Sequence, residues 1–176
     1  MHGGLDISLP EGTPVLAIAA GKVIAKGAGG MLEGNYLWMQ HAPEDTGLAY
    51  RAVVKFQHLS ELPSLNVGDR VAAGQIVASS GLTGTMGRAF GPAGYPHLHI
   101  SMFVAAVAEP STAAVPPRDG RLSDPMLLFL PADADYANAA EFSAAAKRVA
   151  VAAADRSGRI QSAGGKAVWP VYCSTR

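Results

Sequence analysis

The stretch "GYPHLHIS", residues 94–101, carries two of the chain's five histidines one residue apart. In an extended segment, side chains at i and i+2 share a face. His97 and His99 therefore point the same way, flanked by Leu98, Ile100 and Phe103. Two imidazoles on one face suit a metal site, or one ligand beside one catalytic group. A hydrogen-bonded or surface pair is the alternative that the pattern alone leaves open. A second short stretch bears on the choice. "HGGLD" holds His2 and Asp6, and positions 2, 4 and 6 of an extended chain lie on one face. Gly3 and Gly4 let the backbone pass close to an ion. His2, Asp6 and His99 together make two imidazoles and one carboxylate. That set supplies three zinc ligands and leaves a fourth tetrahedral position for water, as catalytic zinc sites do.

Composition limits the alternatives. The 176 residues are 49% hydrophobic and 16% charged, enough for one domain with a packed core and an appendage. Fourteen Lys plus Arg balance fourteen Asp plus Glu, so no basic patch is indicated for nucleic acid or acidic membranes. A single cysteine, Cys173, excludes an intrachain disulfide framework and a Cys-rich zinc site. Any metal must then be held by His, Asp or Glu. No run of about 18 apolar residues predicts a transmembrane helix. No signal peptide is visible at "MHGGLD". The expectation is either a protein not exported by that route or a piece of a longer exported or phage-delivered one.

Strands must position these groups. Residues 1–104 read as short apolar runs broken by Gly, Pro and Asn. Strands are predicted over 14–19, 21–25, 36–41, 53–59, 70–71, 76–79 and 97–104. Residues 105–123 read as a Pro- and Ala-rich loop, and "DPMLLFLP" as an apolar docking segment. Residues 138–155 are rich in Ala, Glu, Lys and Arg, which favours helix. The final "GRIQSAGGKAVWPVYCSTR" reads as a Gly-rich linker and a short strand. "LPEGTPVLAIAAGKV" and "LNVGDRVAAGQIVASSG" echo each other as Gly-punctuated hairpins. Biotinyl and lipoyl carrier domains share that signature, but Lys22, Lys26 and Lys55 lack the neighbours that mark a modified lysine.

The chain resembles the lysostaphin-type (LytM-like) zinc metallopeptidases, which cut peptide cross-links in bacterial peptidoglycan. Five pieces follow in that family's order: "HGGLDISLPEGTPVLAIAAGKV", "GNYLWMQH", "FQHLS", "VGDRVAAGQIVASSGLTG" and "HLHI". They span residues 2–104, with "DPMLLFL" as the usual tail. The resemblance implies a mainly β fold, a compact antiparallel β-sandwich of the duplicated hybrid motif type with a short C-terminal helix and tail. It implies a peptidase domain over 1–130, with 131–176 as an Ala-rich extension. It implies one zinc ion per chain on His2, Asp6 and His99, with His58 and His97 as catalytic histidines. Tyr95, beside "PHLH", is the candidate for contacting substrate. Peptidoglycan peptides are the implied partner, and the bacterial cell envelope, periplasmic or extracellular, the implied location.

Several features depart from the family pattern. The loop "TGTMGRAFGPAGYP" is longer than usual, Phe56 replaces the common tyrosine of "FQHLS", and "HAPEDTGLAYRAVVKFQHLS" is lengthened. The first motif has no strand before it, so His2 is expected to need support, either from an upstream segment or from "AVWPVY" pairing beside residues 2–8. That segment resembles the Trp-Pro-Val stretch that often opens this domain. His41 is expected to be structural or on the surface, Asn35 to hydrogen-bond at a strand end, and Glu11, Glu44 and Glu61 to be solvated. A silent domain of the same fold, which binds or activates another wall hydrolase, is the competing reading. Silent relatives usually lose ligands, whereas here every position is filled.

Overall fold

The structure is a computed structural model that describes residues 3–85, 95–106, 115–130, 151–161 and 165–173. Its described elements are strands β1 (Leu5–Ser8), β2 (Pro14–Leu16), β3 (Gly21–Ala28) and β4 (Asn35–His41), a single-turn helix α1 (Pro43–Thr46), then β5 (Arg51–Leu59), β6 (Arg70–Val71), β7 (Ile76–Ser79), β8 (His97–Ala105) and β9 (Arg121–Ser123). A 3-10 turn at Pro125–Leu128 and two short strands, β10 (Ala153–Ala154) and β11 (Ile160–Gln161), follow. The main sheet runs β1-β8-β5-β4-β3-β6, with β9 also on β8, and β2 pairs with β7 in a second layer. All these pairings are antiparallel.

Alternation decides which way β8 faces. Leu98, Ile100 and Met102 are fully buried and pack with Phe56, Leu37 and Met39 of the neighbouring strands. Val15 and Val77 of the second layer close the same core. Burying each such side chain stabilises the fold by about 1.5–3 kcal/mol. His97, His99 and Ser101 are consequently turned to the opposite face. A one-residue slip of β8 would send the histidines into the core, so the apolar set holds their register.

Every predicted strand is present, within a few residues at its ends. The stretch read as a loop contains one more strand, β9, whose Arg121–Ser123 pair with Met102–Val104. The "DPMLLFL" segment docks as expected. Asp124 caps its turn through the Met126 N–H at 2.9 Å, and Leu128 and Phe129 are buried. Most of the Ala-rich stretch expected to be helical, 138–150, lies outside the described residues. At its end, Ala153–Ala154 form a hairpin with Ile160–Gln161. Asp155 builds the turn by accepting from the backbone N–H groups of Ser157 and Arg159. Such an Asx turn outweighs the modest helix preference of alanine.

The "AVWPVY" segment does form a strand-like contact, but not beside β1. Val168 donates to the Ile18 carbonyl at 2.7 Å, and the Leu16 N–H donates to the Pro170 carbonyl at 2.8 Å. Val168 packs with Leu16 and Ala154, and Trp169 lies 5.3 Å from Phe129, ring centre to ring centre. The sequence-based alternative of pairing beside residues 2–8 is therefore corrected. The apolar side chains of the tail find their complement in the second layer, while β1 takes its hydrogen bonds from β8. Deleting residues 165–176 should uncover Leu16 and Ile18 and lower the melting temperature by several degrees. An unchanged melting temperature would show that the tail contributes nothing.

His41 is fully buried, with Nδ1–H donating to the Ala20 carbonyl at 2.8 Å. It is structural, and burial pushes its pKa below the usual imidazole value. Its neutral form is favoured in the fold, while the unfolded chain takes up a proton near pH ~6.5. Stability from this group is full above that pH and lost as pH falls below it towards the folded value. Melting temperatures measured from pH 7 to pH 5 should decline, and His41→Asn should make the decline shallower. Equal slopes would remove His41 from the acid sensitivity.

Candidate functional site

Three neighbouring strands bring the site together. In the β1–β8 register, Asp6 stands opposite His99 and Ser8 opposite His97. In the β5–β8 register, Gln57 stands opposite His99, and His58 follows at the end of the ladder. The Asp6 carboxylate (Oδ1) and His99 Nδ1 are 2.7 Å apart, and His97 Nε2 is 3.9 Å from the same oxygen. The ring centres of His58 and His97 are 4.6 Å apart, and those of His58 and His99 6.0 Å. The Tyr95 ring lies 5.1 Å from His97 and is largely exposed. Asp6 and His99, 93 positions apart in sequence, thus share one patch. Asp6, His58, His97, His99 and Tyr95 are all there, while His2 lies outside the described residues.

Hydrogen bonds to backbone carbonyls determine how two of the histidines carry their protons. A carbonyl only accepts, so the nitrogen facing it must be the donor in a neutral ring. His58 Nδ1 donates to the Thr83 carbonyl at 2.9 Å, and His97 Nδ1 donates to the Tyr95 carbonyl at 3.0 Å. In both, Nε2 keeps the lone pair and can take up a proton. Burial is the largest influence on His58 and lowers its pKa, against the opposing pull of the Thr83 hydrogen bond. A base that stays neutral at neutral pH is the result.

His58 is also the one described non-glycine residue with positive φ, at 61°. Left-handed backbone is uncommon outside glycine and costs about 1–3 kcal/mol where the surroundings impose it. Here the surroundings are the "GLTG" loop. Thr83 Oγ1 donates to the Leu59 carbonyl at 2.6 Å and accepts from the Asn35 N–H at 2.8 Å. The loop can sit this close because Gly34 and Gly84 touch: a Cβ on Gly84 would fall 2.1 Å from the Gly34 nitrogen. Asn35 Nδ2 reaches the Leu59 and Ser60 carbonyls, the strand-end role expected of it. Sequence reading missed Thr83, whose carbonyl orients His58. The Thr-Gly pair after a strand is the signal that could have marked it.

The chemistry of the donors suits zinc. A carboxylate oxygen and an imidazole nitrogen face each other across one hydrogen-bond length, and either is an ordinary zinc ligand. Gly4 lets β1 approach β8 closely: a Cβ there would lie 2.2 Å from the Ile100 carbonyl oxygen and 2.8 Å from His99 Nε2. Among the described residues, no group of three or more His, Cys, Asp or Glu is arranged to hold a metal ion. Asp6 and His99 supply two donors of the expected set, and the third, His2, is outside the described residues.

An open cleft of about 560 Å³ begins at the same loop. It is lined by Gly29, Gly30, Met31, Gly34, Asn35, Thr83, Gly84 and Thr85. Its wall therefore shares Thr83 with the support of His58. Glu11, Glu44 and Glu61 are exposed and stand apart from these contacts, as expected of solvated acids. Lys22 and Lys26 lie within β3 and Lys55 within β5. Lys55 is buried against Glu33 and the Tyr36 and Trp38 rings, so none of the three presents the hairpin-tip lysine of a carrier domain.

Comparison with known proteins decides the family. The family model described as "Peptidase family M23" matches residues 1–110. The chain belongs to peptidase family M23. Its M23 relatives include lysostaphin of Staphylococcus simulans, 36% identical over 116 residues, which are 66% of this chain and 20% of that protein. The peptidoglycan DD-endopeptidase ShyA of Vibrio cholerae is 34% identical over 103 residues, 58% of this chain and 20% of that one. The solution structure of lysostaphin aligns at a TM-score of 0.50 and 31% identity, covering 72% of this chain and 42% of that one. The chain spans about a fifth of the length of these curated M23 relatives. The M23 match contains Asp6, His58, His97 and His99, the residues that the three strands gather.

Proposed function

We propose that this M23 chain is a zinc-dependent endopeptidase that hydrolyses peptide cross-links of bacterial peptidoglycan. The observation that carries the reading is the placement of two histidines with available Nε2 lone pairs, His58 and His97, beside the Asp6–His99 pair. Asp6, His99 and His2 would hold one zinc ion per chain. Zinc bound there supplies Lewis acidity, polarising the scissile carbonyl and making a water acidic enough to attack it near neutral pH.

The protein's own groups do the rest. His58 or His97 accepts the proton of the attacking water at Nε2 and returns it to the leaving amine. The other, once protonated, stabilises the negative charge that develops on the carbonyl oxygen. Their Nδ1–H bonds to Thr83 and Tyr95 keep both rings aimed during these transfers. Tyr95, whose ring lies 5.1 Å from His97, would contact the substrate, and the glycine-lined cleft that includes Thr83 would take part of the peptide.

Residues 1–130 would carry the peptidase unit, and 131–176 an extension whose described parts pack on it. Relatives named as peptidoglycan or glycyl-glycine endopeptidases support substrates in the cell wall, and hence action at the bacterial envelope. Among the described residues, no helix is long and apolar enough to cross a membrane.

Digestion of purified peptidoglycans with different cross-links, read by product mass, tests the proposal. New amine and carboxyl termini at one bond type, lost on chelation and restored by zinc, are expected. Zinc-loaded protein that releases no fragment from any wall type would favour the silent, hydrolase-binding reading instead.

A further inference from the structure

Lys55 stands between Trp38 of β4 and Ser101 of β8 in the sheet register, on the face that carries His97 and His99. Only 8% of it is exposed. Its ammonium lies 5.0 Å from the centre of the Tyr36 ring and 5.2 Å from that of Trp38, within the range of cation–π attraction. Its ion-pair partner is the Glu33 carboxylate. Glu33 belongs to the turn between β3 and β4, which supplies Gly29, Gly30, Met31 and Gly34 to the cleft wall. Backbone bonds close this turn on itself. The Gly29 N–H donates to the Gly34 carbonyl at 2.8 Å, and the Glu33 and Gly34 N–H groups donate to the Gly30 carbonyl at 3.1 Å. Met31 and Leu32 at its tip are exposed, so no apolar side chain there is anchored in the core. Glu33 instead reaches back across Gly29 to Lys55: a Cβ on Gly29 would collide with the Glu33 carboxylate.

We infer that Glu33 and Lys55 are a positioning pair that fixes the 29–34 wall of the cleft for the substrate peptide, an inference that rests on the proposed peptidase reading. A turn with three glycines in six residues has many conformations open to it. A buried ammonium without its carboxylate is costly, so the one turn conformation that delivers Glu33 to Lys55 is strongly favoured. The wall is then set before the peptide arrives, and binding does not pay to order it. The other end of the turn has its own tie, the Asn35 N–H bond to Thr83 Oγ1. Among the described residues, neither Glu33 nor Lys55 hydrogen-bonds to His58 or His97. The pair therefore acts on binding of the peptide and leaves the proton transfers to the histidines.

Glu33→Gln, Lys55→Met and the double variant, compared with the wild type on a peptidoglycan that it cleaves, test this directly. Each single variant should raise KM about 10-fold, the cost of ordering a released loop, and leave kcat within about twofold. The double variant should be no worse than Glu33→Gln alone, because the two groups act as one. Lys55→Met keeps apolar contact with Tyr36 and Trp38 and should fold. Amide hydrogen exchange should quicken at residues 31–34 in the variants, whereas a general loss of stability would quicken it across the sheet. One check needs no variant: the Tyr36 and Trp38 rings should shift the Lys55 ε-methylene protons upfield in the wild-type NMR spectrum. Unshifted protons, an unchanged KM in folded variants, a loss in kcat instead of KM, or additive losses in the double variant would overturn the inference while leaving the endopeptidase reading intact. A wild type that cleaves no wall would overturn that reading. The same variants would then be compared by their affinity for a soluble muropeptide, and affinities equal to the wild type's would overturn the inference as well.

Discussion

Asp6→Ala is expected to lose nearly all bound zinc and, with it, hydrolysis. Asp6 is the one carboxylate described within hydrogen-bond reach of His99 Nδ1, at 2.7 Å. In the proposed site, removing it would delete one of the three ligands and the negative charge that would offset the cation's own charge. The loss should exceed the roughly 10–100-fold that removal of a partner behind a ligand costs. Stability should change little, because Asp6 lies on the edge strand β1 with its side chain 29% exposed, where water replaces what it gives up. The measurement is zinc content by elemental analysis, with circular dichroism to confirm the fold. Asp6→Ala protein that keeps one zinc per chain would remove Asp6 from the ligand set.

His58→Ala and His97→Ala should behave differently. Each is expected to keep zinc, since neither histidine is in the proposed ligand set. Each should lower kcat/KM by about 10²-fold or more, the scale of a lost general acid–base group. The pH profile adds a sign. Burial lowers the His58 pKa, so its neutral, proton-accepting form persists as the pH falls through ~6.5. The acid limb of the wild-type profile should therefore lie below the position of an exposed histidine, and His58→Ala should remove or shift it. Relief of strain gives a second readout. A residue held at φ 61° is replaced at little cost by glycine. His58→Gly should thus be at least as stable as His58→Ala, yet equally inactive. Wild-type rates in both His58→Ala and His97→Ala, with metal intact, would end the proposed proton transfers.

How much of this was legible beforehand follows from the range of each interaction. The shared face of His97 and His99 follows from the two-residue period of a strand, and so does the burial of Leu98 and Ile100 on the other face. Strands β2 to β8 were legible because glycine, proline and asparagine punctuate apolar runs that alternate or lie wholly inside; β1 and the β10–β11 hairpin were not among the predicted strands. The expected role of Asn35 was legible for the same local reason. Strand β9 was not, because Arg121–Ser123 has little apolar pattern and is extended only by its ladder with β8. The place of "AVWPVY" was not either. Its side chains predict burial without saying against what, and the match to Leu16–Ile18 is a matter of shape between distant segments.

The sequence by itself determined the donor types, the family motifs and the alternation that turns β8's histidines away from the core. Only the tertiary structure decided that Asp6 stands opposite His99, because cross-strand register is set by the packing of both strands' apolar faces. Only it showed that the "GLTG" loop touches Gly34 and thereby ties His58 to Thr83. Only it placed the Glu33 carboxylate against Lys55. Proton placement on an imidazole depends on which acceptor lies within about 3 Å of each nitrogen. That distance is fixed by neighbours far apart in sequence, and no local pattern encodes it.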